Sequence, residues 1–369
     1  MDAIAKQSQV VDILKGLLPI IVVVYHTSLG VESCLDSPSS FLRAVFCVMG
    51  QVAVPMFFMI SGYYFFTKLS VWNWNIWGQK MKKRMKTLLL PYVLWIVIDF
   101  FAKFVFGILS SEIPGFDFSS LKDFFVNSGG FRIFYDRPIQ EWDNSVLGYR
   151  IPSGKPIDGP LWYIRDLLVV MCLSPVICYF LKKTRSLGLL LLAVFYVLCV
   201  GIPVSGFSIT ALFFFATGAA FSISGKTFIE VFKKYRIPAY VLSAVLLVVL
   251  LFLSSTSLGT LSGVLQRLYV ITASVALFNI VGALYDRGAI HPIPMLVDSS
   301  FFVYASHAVL ITELSNYLLW HILPFENEPI FLAKVFLRPL VAWGICMGLF
   351  VALKKLTPRT LNILTGNRN

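Results

Sequence analysis

Apolar residues come along this chain in long runs, not in alternation. Ten stretches dominated by Leu, Ile, Val, Phe and Ala lie near residues 11–31, 41–66, 88–110, 161–181, 187–203, 207–224, 237–254, 262–285, 299–320 and 331–353. Each is close to the roughly 20 residues that a helix needs to cross a bilayer. Backbone polar groups in hydrocarbon must be satisfied within their own segment, so such runs predict helices. The fifth and sixth are the shortest and are parted only by IPVSG. Pro19, Pro55 and Pro175 fall inside runs, where neighbouring helices can satisfy the carbonyls they release. The expected fold is an all-α integral membrane protein of about ten transmembrane helices, a single membrane-embedded domain over residues 1–369 with no fixed-period repeat.

The polar segments between the runs set an orientation. With the N-terminus inside, the inner segments are KLSVWNWNIWGQKMKKRMK (68–86), KKTR (182–185), GKTFIEVFKKYR (225–236), YDRG (285–288) and KKLTPR (354–359), together with Lys6 and Lys15. The outer segments around 32–40, 203–206, 255–261 and 321–330 carry no Lys or Arg. The split predicts both termini inside and an even number of spans. One outer segment differs. Residues 111–160 form a long loop rich in aromatic and charged residues, which reads equally as a lid or acceptor-binding surface and as a structural cap.

Composition agrees with the pattern. The chain is 57% hydrophobic and 14% charged with a mean hydropathy of +0.79, whereas soluble domains average about 25% charged residues. The net charge of +12 is scattered over short loops and forms no stripe, which argues against nucleic-acid binding. Six cysteines lie mostly inside apolar runs without CxxC spacing; they read as small apolar residues, not as a zinc site or disulfide framework. The first run has no small-residue cleavage site and reads as a retained helix.

The candidate chemistry begins in DILKGLLPIIVVVYHTS (12–28). Eleven residues turn a helix through about 1100°, so Lys15 and His26 lie within about 20° of one face and about 16 Å apart along it. Asp12 precedes Lys15 by three residues, a spacing that allows a helical ion pair. A lone lysine there can snorkel to the interface, and a lone histidine can be structural. Yet ionisable residues inside spans usually face a cavity or partner, and neutral imidazole is a natural general base.

These residues resemble the opening of the acyltransferase 3 family of integral membrane O-acyltransferases, an Asp-x-x-Arg segment with ten residues between the Arg and a His. Asp12, Lys15 and His26 occupy the matching positions, with Lys15 where the family most often has Arg. Lysine keeps the charge but loses the planar bidentate fork. Other segments are similar in the same order: VPMFFMISGYYFF (54–66), KKRMKTLLLPYVLW (82–95), GPLWYIRDLLVVMCLSP (159–175) and SSFFVYASHAVLI (299–311).

The resemblance implies transfer of an acyl group, commonly acetyl, from acyl-CoA to a hydroxyl of an extracytoplasmic or lipid-linked carbohydrate. It implies no permanently bound cofactor and a bacterial cytoplasmic membrane. It makes His26 the candidate base or proton carrier, with Lys15 and Asp12 as the other catalytic candidates on the same helix, Lys15 favouring the anionic donor by charge. Lys82, Lys83, Arg84 and Lys86, with Lys80, determine topology and would also suit the donor's phosphates. Ser61, Trp162, Arg165, Tyr304 and His307 are candidates for lining the acceptor or transfer site. Ser61–Gly62 also reads as a small pair for close helix packing, and no Gly-x-Ser-x-Gly elbow supports a serine nucleophile. Trp162 and Arg165 share one helix face, as do Tyr304 and His307; His291 and His321 fall at boundaries and are set aside. A glycan transporter or flippase, and a non-catalytic relative, are the competing readings; no half-to-half match of the kind transporters show is present.

Overall fold

The computed structural model describes residues 3–29, 37–67, 69, 72–136, 142–148, 150–152, 154–202, 204–253, 259–325 and 327–367. Cys34, Lys68 and loop residues 137–141, 149 and 153 lie outside the described residues.

The chain is almost wholly helical. In order the helices are α1 (Ala3–Ser28), α2 (Pro38–Gly50), α3 (Ala53–Phe66), α4 (Trp74–Arg84), α5 (Leu90–Leu109), α6 (Phe118–Asn127), α7 (Trp162–Cys172), α8 (Ser174–Thr184), α9 (Ser186–Val197), α10 (Ile209–Ile223), α11 (Phe228–Lys234), α12 (Arg236–Leu253), α13 (Gly259–Asp286), α14 (Pro294–Ser306), α15 (Thr312–Ile322), α16 (Glu328–Leu356) and α17 (Pro358–Thr365). Two π-helical segments, Met85–Leu89 and His307–Ile311, join α4 to α5 and α14 to α15.

Every expected apolar run coincides with a helix, but the helices differ in reach. Among the described residues seven continuous stretches are long and apolar enough to span a membrane, or nine if two bent pairs each count as one span. The pairs are Gly159–Cys172 with Ser174–Thr184, bent by 64°, and Ile209–Ile223 with Phe228–Lys234, bent by 107°. Pro175, at the start of α8, explains the first bend, because its ring and missing N–H interrupt the ladder. The fifth run becomes α9, which has 12 residues and is about 18 Å long, short of the hydrocarbon core.

Lipid tails are as apolar as leucine, so close backbone approach must hold spans together. At Gly62 of α3 a Cβ would stand 2.1 Å from the Phe215 carbonyl oxygen of α10, and at Gly218 of α10 one would stand 1.9 Å from that of Met59. Gly62 of the Ser61–Gly62 pair thus provides the close packing that its small size suggests. Along the other side α1 packs on α14 and α16.

The long loop is folded. Asp117 caps α6 by accepting from the Ser120 amide at 2.9 Å. A 3₁₀ turn covers Gly130–Phe134, after Gly129 at φ 107. A short antiparallel hairpin pairs Trp142–Asn144 with Arg150–Pro152, the one departure from all-helical architecture among the described residues.

Candidate functional site

Two features of the bundle meet α1, an open cavity at Lys15, halfway along it, and a histidine pair near its end. The cavity, of about 440 Å³, is lined by Lys15, Ser61, Tyr64, Lys83, Arg84, Tyr163 and Tyr304, among others. That volume lies in the range of small-molecule sites. Lys15 bonds Asp12 at 2.8 Å, the ion pair expected from the spacing. Ser61 Oγ and the Tyr163 hydroxyl are 3.3 Å apart.

Of the basic stretch, Lys83 and Arg84 line the cavity, while Lys82 and Lys86 are exposed and outside its lining. Lys80 is used differently. Its ammonium donates to the Phe65 and Thr67 carbonyls, both at 2.7 Å, and so closes the end of α3. The π segment shapes this wall. Pro91 lacks the N–H that would bond the Thr87 carbonyl and crowds it, so the turn widens. The C-terminal end of the described chain packs into the gap. Gly366, at φ 68, leaves 2.2 Å between a notional Cβ and the Thr87 carbonyl oxygen, and Gly366 and Asn367 line the cavity.

Tyr304 links the cavity to the histidines. Its ring is 6.1 Å from that of His307, whose ring is 5.0 Å from that of His26. His307 is 1% exposed. Its Nδ1 lies 2.7 Å from the Tyr304 carbonyl oxygen; a carbonyl only accepts, so this nitrogen carries the proton and Nε2 keeps its lone pair. Nε2 is buried with no hydrogen-bond partner. The helix breaks immediately beyond, with Leu310 at φ 58, a conformation rare for a bulky residue and of a kind that clusters at functional sites.

Arg165 and Trp162 are placed elsewhere. Trp162 packs on Phe58 at 6.0 Å, and its neighbour Tyr163 takes the cavity position. Arg165 is 7% exposed. It bonds Asp166 at 2.8 Å and the Gly154 carbonyl at 2.8 Å, and donates also to the Tyr135 carbonyl. It therefore ties two strands of the long loop to α7. Lys103 does the same from α5, bonding Asp99 at 2.7 Å and the Ile157 carbonyl at 2.9 Å. The Tyr92 and Tyr304 hydroxyls donate to the Phe134 and Pro160 carbonyls.

Three site residues had no mark in the sequence. Lys155, between the loop contacts at Gly154 and Ile157, lies close enough to His26 for the two to interact electrostatically. Tyr163 was hidden beside the more conspicuous Trp162. Asp158 is buried, and neither of its carboxylate oxygens has a hydrogen-bond partner. Burial pushes its carboxyl well above the usual carboxylate range; Asp99 adds to the shift and Lys103 opposes it. A Gly- and Pro-rich loop has no period to show where Lys155 and Asp158 will fall. Of the described cysteines, Cys178, Cys199 and Cys346 are buried, Cys47 is half-buried and Cys172 is exposed, and no disulfide joins any of the five. Among the described residues no cluster of His, Cys, Asp or Glu offers a metal site.

Comparison with known proteins adds an independent line. A family model described as an acyltransferase domain matches residues 9–353. A curated relative, the succinoglycan biosynthesis protein ExoH of Rhizobium meliloti (strain 1021), is 22% identical over 322 residues, covering 86% of this chain and 80% of its own. No solved structure matches.

Proposed function

The chain belongs to this acyltransferase family, and from that premise we propose that it moves an acyl group, acetyl in the simplest case, from acyl-CoA to a hydroxyl of a cell-surface or lipid-linked carbohydrate. As a multi-pass membrane protein it would do so in a bacterial cytoplasmic membrane, with the basic end of the bundle facing the cytoplasm. The carbohydrate acceptor is supported by the polysaccharide in its relative's name. The donor side is supported by charge. Lys15, Lys83 and Arg84 line one cavity and suit the phosphates of an anionic thioester donor.

The observation that carries the reading is the pair of histidine rings 5.0 Å apart, joined to that cavity through Tyr304. In direct transfer the acceptor oxygen attacks the thioester carbonyl while His26 takes the hydroxyl proton. The tetrahedral intermediate then collapses, the C–S bond breaks, and the proton passes to the leaving thiolate. The new ester keeps the acyl carbon and the acceptor oxygen. His307, whose ring lies 5.0 Å from that of His26 and whose Nε2 has no hydrogen-bond partner, can hold or return the proton. Lys155 brings a positive charge to the outer side, where it would favour the oxyanion.

The test is His26→Ala assayed in membranes with radiolabelled acetyl-CoA and the host's glycans. Transfer should fall by about 10²–10⁴ while the protein inserts and accumulates normally. Unchanged labelling of glycan by this variant sinks the assignment.

A further inference from the structure

Both histidines sit where regular helical bonding runs out. His26 lies in the last turn of α1, whose final carbonyls have no partner further along the helix. His307 opens a π segment that leaves helical geometry at Val309 and Leu310. Backbone in such places frays unless something outside the helix holds it.

One side chain reaches both places. Arg338, half-buried in α16, donates from one terminal nitrogen to the Thr27 carbonyl at 3.0 Å and from the other to the Thr312 carbonyl at 3.5 Å. Thr27 follows His26. Thr312 in turn donates its hydroxyl to the His307 carbonyl at 2.7 Å. The planar guanidinium can hold two carbonyls in fixed relation, which a lysine ammonium does less well. Its Nε has no hydrogen-bond partner and is buried. Leaving a buried donor unsatisfied costs stability, so an apolar residue would serve a merely structural α16 better. Arg43 and Glu313 also act electrostatically on the guanidinium.

We propose that Arg338 is a positioning residue that straps the end of the His26 helix to the broken segment after His307, and so sets the spacing of the histidine pair. The proposal rests on the transfer reading given above. It adds a residue from α16, which none of the matched motifs includes.

The test compares Arg338→Gln, Arg338→Lys and Thr312→Val with the wild-type chain, using acetyl-CoA as donor and membrane-bound glycan as acceptor, with rates scaled to folded, inserted protein. A misplaced catalytic group costs up to about 10²-fold in turnover. Arg338→Gln should lose tenfold or more of kcat, within about that bound, and keep the donor KM, because Arg338 does not line the cavity, which meets α1 at Lys15, about three turns before His26. Arg338→Lys should recover part of the loss. Thr312→Val should lose less, and its effect should be non-additive with Arg338→Gln because both variants cut one chain of bonds. Unchanged kcat in both Arg338→Gln and Thr312→Val overturns the strap. So does a donor KM that rises with no change in kcat. If Arg338→Gln does not fold, Thr312→Val decides alone. A dead His26→Ala beside an unimpaired Arg338→Gln removes the strap and leaves the transfer reading standing; an active His26→Ala removes the reading itself.

Discussion

Arg165 and Arg84 each lie beside Tyr163 or its neighbours, but they are used in opposite ways. Arg165, under the long loop, is buried and commits its donors to Asp166 and to the Tyr135 and Gly154 carbonyls. Arg84, at the cavity, is half-buried, and neither it nor Lys83 makes an ion pair among the described residues. Burial decides the difference. A desolvated cation must be fully committed to protein partners, so Arg165 acts as a bolt, and the half-buried Lys103 acts with it through the buried Asp99 and the Ile157 carbonyl. A hydrated cation on a cavity wall keeps its charge available to a ligand. The long loop, left open by the sequence between a lid and a cap, is thus pinned down at its base; the cavity wall is where charge remains to be used.

The comparison breaks most visibly at Arg165. Arg165→Met should leave Asp166 buried without its partner and destabilise the fold by about 3–5 kcal/mol, read as a large drop in the melting midpoint in detergent. A variant that melts like wild type would show that Arg165 is not a bolt. At the cavity the opposite is expected. Lys83→Gln with Arg84→Gln should leave the melting midpoint within a few degrees, because Lys83 is exposed, Arg84 is half-buried and neither has an ion-pair partner to lose among the described residues, and should raise the donor KM about tenfold in low salt, less as salt screens the charge. A smaller effect sharpens the picture of the loop floor. Asp158 favours its proton more in the folded than in the unfolded chain, so its contribution to stability is full below about pH 4 and is lost as pH rises towards the raised folded value. Asp158→Asn should therefore raise the melting midpoint by a few degrees near about pH 7.5, and the gain should shrink towards about pH 4. A gain that does not depend on pH would mean that the carboxyl is not protonated in place.

The helices were legible because a bilayer demands long apolar runs, and all ten runs became helices. Their reach was not. The bend between α10 and α11 depends on how neighbours pack, which hydropathy does not encode, and Pro175 was visible without the angle it would impose. The face shared by Asp12, Lys15 and His26 was readable because helical periodicity is a local rule. Tyr304 and His307 were readable for the same reason. That His307 would meet His26, far away along the chain, was not, because it depends on α1 lying against α14. Arg165 shows the limit from the other side. A buried arginine beside an aspartate was visible as a site residue, but whether it served a ligand or the loop depended on the fold of residues 135–154.

Gly366 gives the cavity a history as well as a shape. Its wall joins Lys15, from the first helix, to Gly366 and Asn367 beyond α17. A membrane protein emerges from the ribosome one helix after another, so the early spans can be inserted while this wall is still missing. The cavity is then completed only after α17 has been made, and a chain still lacking that helix has no closed wall there to hold a ligand.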